Sequence, residues 1–153
     1  FRLLTQARDA ARTKGFTMNA LAVVDLEFAT DKARNGDLDG AAELARAAID
    51  DMFDRGAMFL RGIATTVLVD ALLERGGDGD LREAQAAIDR LASVPTEPGF
   101  VLHVLPLLRL RALVARVQGD DEGSRELMQR HRAAAAAAGF GPLVDAVDPT
   151  GSV

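Results

Sequence analysis

The ionisable side chains of the sequence include few groups that could form a catalytic centre. The chain has two histidines, His103 and His131, and no cysteine. A catalytic or metal-binding histidine has to converge with carboxylates or other ligands, whereas His103 lies between Leu102 and Val104, which favours a structural role. The sequence contains no glycine-rich phosphate loop, no Gly-x-Ser-x-Gly and no His-Glu-x-x-His. We therefore predict no catalytic, cofactor-binding or metal-binding residues and no enzymatic activity in this chain.

One stretch has the spacing of a calcium-binding loop. Asn35, Asp37, Asp39 and Gly40 fall at positions one, three, five and six of an EF-hand loop. The twelfth position, which requires a bidentate Glu, is occupied by Arg46. Because a cation there removes the ligand that completes the site, the sequence favours helix capping by Asp37 and Asp39 over calcium binding.

Asp70 is the most unusual carboxylate, because it lies in the most apolar run of the chain, residues 57–73, which also carries Arg61. A buried acid needs a partner such as an arginine or a backbone amide, or else its pKa rises. An ion pair or an exposed edge is the simpler interpretation, and a ligand contact is the alternative. We name Asp70, Arg61 and His103 as the candidate residues of a groove or pocket.

The composition predicts an all-α fold. The chain has 153 residues, of which 48% are hydrophobic and only 5% aromatic. Ala and Leu are strong helix formers, and β-branched runs bounded by turns are nearly absent. A chain of this length is large enough for one domain with a sizeable core.

Charge and hydropathy exclude some classes of partner. The net charge is −5, and no aromatic residues are interleaved with the arginines for base stacking, which argues against nucleic acid. The run at residues 57–73 is too short and too polar for a membrane span. The absence of cysteine fits a cytoplasmic protein.

Gly-Asp turns at residues 36–37, 79–80 and 119–120 divide the chain into helical hairpins. In each turn we expect Gly to end one helix in the left-handed conformation and Asp to cap the next. The turns recur about every 40 residues, as in stacked helix-turn-helix units. We predict one helical-repeat domain over residues 1–147, with a leading helix at 1–14, hairpins at 17–55, 57–94 and 100–138, and a frayed tail at 148–153.

The first helices of the second and third hairpins have features that lead to further predictions. Residues 57–75 have apolar side chains nearly all round, including Phe59 and Ile63, so we predict that this helix is the most buried. Pro106 lies within the apolar pattern of residues 100–118. It predicts a kinked or two-part helix, or else a regular helix that starts at Pro106.

The second helices resemble the tetratricopeptide repeat family. Residues 36–48 match its Gly-Asp-x-x-x-Ala pattern, with Ala41, Ala45 and Ala48 at the positions where helices approach closely. Residues 79–84 repeat the opening, whereas the third copy is weak. The first helices lack the family's Trp-x-x-Leu-Gly-x-x-Tyr pattern, and the period exceeds the usual length of about 34 residues. The resemblance implies a right-handed α-α superhelix, a tetratricopeptide-like solenoid of about three helical hairpins.

The bias towards Arg over Lys, the Ala richness and residues 129–140 are also similar to the C-terminal repeat tails of actinobacterial adenylate or guanylate cyclases with an ATPase module, and of related transcriptional regulators. This resemblance implies that any enzymatic or DNA-binding part lies outside this sequence. It implies a non-catalytic protein-protein interaction or regulatory domain of a larger signalling protein.

The implied partner is a protein, either another domain of the parent chain or a second copy. The first helices, at residues 17–35, 57–75 and 100–118, are the predicted walls of the binding groove. The alternative is a small-molecule sensor with a pocket between repeats, for which an apolar cavity near Asp70 or His103 would be support.

Overall fold

The computed structural model describes residues 18–56 and 59–140, and within these ranges every regular element is an α-helix. There are six: α1 (Met18–Arg34), α2 (Leu38–Asp54), α3 (Arg61–Arg75), α4 (Asp80–Ala92), α5 (Val101–Val117) and α6 (Asp121–Ala137). The predicted all-α class is confirmed for this part of the chain. The leading helix predicted at residues 1–14 and the tail predicted at 148–153 lie outside it.

The chain divides into two compact units, Phe1–Ala87 and Ile88–Val153. The single domain predicted over residues 1–147 stays a prediction. In the first unit α2 packs against α1 and α3, and α1 also contacts α3. Small side chains on α2 allow these close approaches, since its inward positions are mostly alanines with at most 6% exposure: Ala41, Ala42, Ala45 and Ala48.

In the second unit α5 packs against α6. The buried face of α5 consists of Leu107, Leu108, Leu110, Ala112, Val114 and Ala115. The Ser124 hydroxyl donates a hydrogen bond of 2.8 Å to the Ala112 carbonyl and so joins the two helices.

Helix α5 runs without a break from Val101 to Val117, with Pro106 inside it. The predictions of a helix that starts at Pro106 and of a two-part helix were therefore wrong, whereas the kinked helix stays a prediction. Proline removes one backbone donor and costs about 3 kcal/mol in a helix interior. Burial of a leucine side chain contributes about 1.5–3 kcal/mol, so the buried Leu107, Leu108 and Leu110 offset that cost.

Candidate interaction surface

Two of the three Gly-Asp turns share one geometry. At the first turn the N–H groups of Gly36 and Asp37 donate to the carbonyls of Ala33 and Lys32, both at 2.9 Å. This is a Schellman motif, and Gly36 supplies the left-handed residue at φ 82°. The Asp37 carboxylate then accepts from the Gly40 N–H at 2.9 Å and caps α2.

The turn at residues 119–120 has the same three hydrogen bonds. The Gly119 N–H donates to the Arg116 carbonyl at 3.0 Å, and the Asp120 N–H to the Ala115 carbonyl at 2.9 Å. The Asp120 carboxylate accepts from the Gly123 N–H at 2.9 Å and caps α6. The turn whose surrounding sequence matches least well therefore has the same hydrogen bonds as the first turn.

The middle turn is different, and the prediction that Asp80 caps α4 was wrong. Gly76 already ends α3 in the left-handed conformation, and the loop that follows is one residue longer than in the other turns. The Gly79 carbonyl accepts the first helical bond, from the Glu83 N–H at 2.9 Å, so Asp80 is the first helical residue. Its carboxylate turns back to accept from the Gly77 N–H at 2.8 Å.

The acids of the candidate calcium loop are engaged with protein donors. The Lys32 ammonium forms an ion pair with Asp37, and together with the Gly40 N–H it holds the pKa of Asp37 below its usual value. Asn35 donates to the Asp31 carbonyl at 2.7 Å. Capping by Asp37 is thus confirmed, but Asp39 is bonded to Arg75 instead of capping the helix. Residues 18–56 and 59–140 contain no cluster of three or more potential metal ligands.

Arg75 joins three helices. Its Nη1 donates to Asp39 of α2 at 2.6 Å, and its Nε and Nη2 donate to Asp80 of α4 at 2.9 and 2.6 Å. Asp80 is only 4% exposed, whereas the side chain of Asp39 is 86% exposed. The bond to Arg75 is the main cause that lowers the pKa of Asp80 to about 2, and the two carboxylates raise the pKa of Arg75.

A second ion pair links α2 to α4. Arg46 Nε donates to Glu83 Oε1 at 2.7 Å, and this bond raises the pKa of Arg46. Our sequence predictions included neither this pair nor the bonds of Arg75. The pairing of Arg75 with Asp80 could have been predicted from the sequence, because the two residues lie five positions apart across a turn. The contacts of Arg75 and Glu83 with α2 could not, because they join residues far apart in the chain.

Arg61, a candidate groove residue, belongs to the packing between α2 and α3. It is 8% exposed, and its Cζ lies 4.6 Å from the centroid of the Phe53 ring. The Arg61 carbonyl accepts a hydrogen bond of 2.8 Å from the Thr65 hydroxyl. These contacts make Arg61 a residue that positions helices.

Asp70, the second candidate, lies on the same helix but away from Arg61. Nine residues of α-helix rotate by about 180° and rise by about 13 Å, so the two side chains lie on opposite faces of α3. Asp70 is half-buried. The structure therefore does not bring Arg61 and Asp70 together.

The two histidines both lie in the second unit. His103, the third candidate, is half-buried near the start of α5. His131 is 8% exposed on α6 and therefore faces inward.

The face of α3 that carries Asp70 also carries large exposed apolar groups. Phe59, just before the helix, is 65% exposed and Ile63 is 46% exposed, so the predicted burial of these two side chains was wrong. The helix itself has eight buried residues, more than the six each of α2 and α5. Buried positions lie on the other side: Ala64, Thr65, Leu68, Val69, Ala71 and Leu72. The opposite side of α3 carries the exposed Ile63 and Glu74 and the half-buried Val67 and Asp70. We call this row, together with the exposed Phe59 before the helix, the outer stripe.

Neither the protein-family models, nor the curated proteins, nor the solved structures that we compared with this chain give a match. Among the helices described above, none has both the length and the apolar character that crossing a membrane requires.

Proposed function

We propose that this chain is a non-catalytic protein-interaction or regulatory domain of a larger signalling protein, built as a right-handed stack of tetratricopeptide-like hairpins. The packing of the first unit supports this arrangement. Helix α1 contacts its own hairpin partner α2 and also α3, the first helix of the next hairpin. Contacts between successive first helices are expected when one hairpin stacks on the next.

The observation that carries the proposed binding function is the exposure of Phe59 and Ile63 on the outer stripe. Contiguous exposed apolar groups mark sites of protein contact, and Phe59 and Ile63 are four residues apart in the chain. Helix α3 is one of the first helices that the sequence predicts as groove walls. We propose that a segment of another domain of the parent, or of a second copy, covers this stripe.

The parent's class, a nucleotide cyclase or a transcriptional regulator of the cytoplasm, rests on the sequence resemblance alone. For the sensor alternative, a ligand would have to engage Asp70 or His103. The positions of the candidate residues do not favour a sensor. Asp70 lies on the same face as the exposed Ile63, and Arg61 is packed against Phe53 instead of lining a pocket with Asp70.

The function is tested by selecting binders from a random peptide library on the immobilised chain. Enriched peptides are then titrated against the unaltered chain, Ile63→Gln and Leu102→Gln. Leu102 is a matched control because it is similarly exposed, at 44%, and lies on α5. Peptides that lose affinity for Ile63→Gln alone support the proposal.

The proposal is wrong if no peptide is enriched, or if the enriched peptides bind all three proteins equally. Light scattering of the chain over a range of concentrations shows whether a second copy is the occupant. Association that Ile63→Gln abolishes and Leu102→Gln preserves would identify self-association through the stripe.

A further inference from the structure

The turn between α1 and α2 contains a chemically reactive pair of residues that the proposed function does not use. Asn35 and Gly36 are adjacent, and both are exposed. Asparagine deamidates most readily before glycine, because glycine has no Cβ to hinder attack by its own backbone nitrogen. Apart from the neighbouring residues of the chain, no heavy atom lies within 4 Å of the place that a Cβ on Gly36 would occupy. The other asparagine, Asn19, precedes an alanine.

Deamidation at this pair needs only the chain and water. The Gly36 nitrogen gives its proton to solvent and attacks Asn35 Cγ. The bond from this nitrogen to Cγ forms, the bond from Cγ to Nδ2 breaks, and the side-chain nitrogen leaves as ammonia. Water then opens the cyclic imide. Cleavage at Cγ leaves an aspartate, whereas cleavage at the main-chain carbonyl leaves an isoaspartate whose chain continues through Cγ.

In the closed turn both reacting groups are held by hydrogen bonds to α1. The Gly36 N–H donates to the Ala33 carbonyl at 2.9 Å, and Asn35 Nδ2 donates to the Asp31 carbonyl at 2.7 Å. The first bond must break before the nitrogen can lose its proton and attack. The second holds the side-chain amide back over the preceding helical turn, so it must also break before Cγ can approach Gly36.

From this geometry we propose that Asn35 is a latent deamidation site, which the closed turn protects and which reacts when the turn opens. Helix ends fray, and local opening of such segments requires much less free energy than global unfolding. Because ammonia is lost, the change persists after the turn has closed again. Opening of the junction between α1 and α2 is thereby converted into a permanent covalent change.

Both products weaken the turn that protected the asparagine. An aspartate at position 35 no longer donates to the Asp31 carbonyl, and its charge lies at the C-terminal end of α1, where the helix dipole disfavours an anion. An isoaspartate adds one carbon to the backbone before Gly36 and so displaces the two bonds that close the turn. Deamidation therefore loosens the junction from which α2 starts.

The test incubates the full chain at mildly alkaline pH and follows deamidation by mass spectrometry of its proteolytic peptides. The folded chain is compared with the chain in guanidinium chloride. We expect Asn35 to react about tenfold or more slowly in the folded chain, because the turn must first open. The mass increase separates this reaction from isomerisation at Asp39-Gly40 and Asp78-Gly79, which leaves the mass unchanged.

The equivalent turn of the second unit supplies an internal control. Gln118 precedes Gly119 there, as Asn35 precedes Gly36. The longer glutamine side chain has to form a larger ring, so its deamidation is far slower. We therefore expect no gain in mass at Gln118 while Asn35 reacts in denaturant.

Substitutions of the capping residue separate opening of the turn from a change of charge. Asp37→Ala removes the cap of α2 and should speed the reaction of Asn35 in the folded chain by up to about fivefold. Asp37→Asn keeps a capping oxygen and should stay within about twofold of the unaltered rate. Asp120→Ala removes the equivalent cap of α6 and should leave the rate at Asn35 unchanged. Circular dichroism confirms that each variant is folded.

The effect of the product is measured on Asn35→Asp. The Asp37 amide proton, which is bonded to the Lys32 carbonyl at 2.9 Å, should exchange with solvent about two- to fivefold faster in this variant. Gln118→Glu places the same charge in the other turn and should leave the exchange of this proton unchanged.

Three results would overturn the inference. The first is equal reaction of Asn35 in the folded and the denatured chain, which would mean that the turn gives no protection. The second is an equal acceleration by Asp37→Asn and Asp37→Ala, or none by either, since opening of the turn would then not control the rate. The third is unchanged exchange of the Asp37 amide in Asn35→Asp, which would show that the product does not loosen the junction.

Discussion

Arg75 holds the buried carboxylate of Asp80 at two points, with Nε 2.9 Å from Oδ2 and Nη2 2.6 Å from Oδ1. Two-point arginine-carboxylate pairs fix direction as well as distance. The pair ties the end of α3 to the start of α4 across a four-residue loop that contains three glycines. It therefore restrains a turn that the backbone alone would leave loosely defined.

We predict that Asp80→Asn lowers the free energy of unfolding more than Asp78→Asn does. The Asp80 variant loses the charge that faces Arg75 in a buried position, whereas Asp78 is exposed in the same loop. Urea unfolding at neutral pH, followed by circular dichroism, measures both variants. Equal effects at the two positions would contradict the role assigned to Asp80.

The same pair predicts a pH dependence. The folded chain lowers the pKa of Asp80 from 3.8 to about 2, so the folded state binds this proton more weakly than the unfolded state. The resulting stabilisation is fully present above about pH 4 and is lost as the pH falls towards 2. The difference between the unaltered chain and Asp80→Asn should therefore shrink across that window. A difference that stays constant down to pH 2 would show that the carboxylate's charge does not cause it.

The geometry of the cap explains why each of the two equivalent turns has a second glycine. A Cβ at residue 123 would lie 2.8 Å from Asp120 Cγ, and one at residue 40 would lie 2.9 Å from Asp37 Cγ. Both distances are too short for carbon atoms, so a side chain at either position would displace the capping carboxylate. The pattern Gly-Asp-x-x-Gly is thus a single unit of turn and cap.

We predict that Gly123→Ala fails to stabilise α6, although alanine is the better helix former by up to about 1 kcal/mol. The new methyl group displaces the Asp120 cap, whose loss costs about 1 kcal/mol. In an Asp120→Ala background the cap is already absent, so the same glycine substitution should become stabilising. Urea unfolding of the two single variants and the double variant measures this reversal of sign.

Additivity of those two substitutions would contradict the steric explanation. Asp120→Asn serves as the control, since asparagine retains a side-chain oxygen that caps a helix about as well as aspartate. It should leave stability almost unchanged.

The helices and their turns were predictable because each depends on local sequence. Apolar residues spaced three and four apart define α1 to α6, and glycine ends α1 at Gly36 and α5 at Gly119. The sequence also indicates that the middle turn differs, because Glu83 occupies the position that Gly40 and Gly123 occupy in the other two turns.

Other features depend on how helices meet, which local patterns do not specify. The contact between Asp39 and Arg75 spans 36 residues of chain. Periodicity shows that α3 has more than one apolar face but not which face its neighbours cover, so Ile63 was misassigned to the core. The sequence suggested Arg61 and Asp70 as one site, although helix geometry places them on opposite sides.

Arg61 offers the last prediction, because its place against Phe53 assigns it to helix packing. The distance of 4.6 Å from Cζ to the ring centroid lies within the range of a cation-π contact, which contributes about 0.5–2 kcal/mol depending on desolvation. Alanine substitutions at both positions, alone and together, should reveal a coupling of that size in urea unfolding. Arg61→Lys keeps the charge but loses the planar guanidinium, so its stability should fall between those of the unaltered chain and Arg61→Ala. A coupling near zero, together with loss of peptide binding in Arg61→Lys at unchanged stability, would instead return Arg61 to the binding groove that its sequence position suggested.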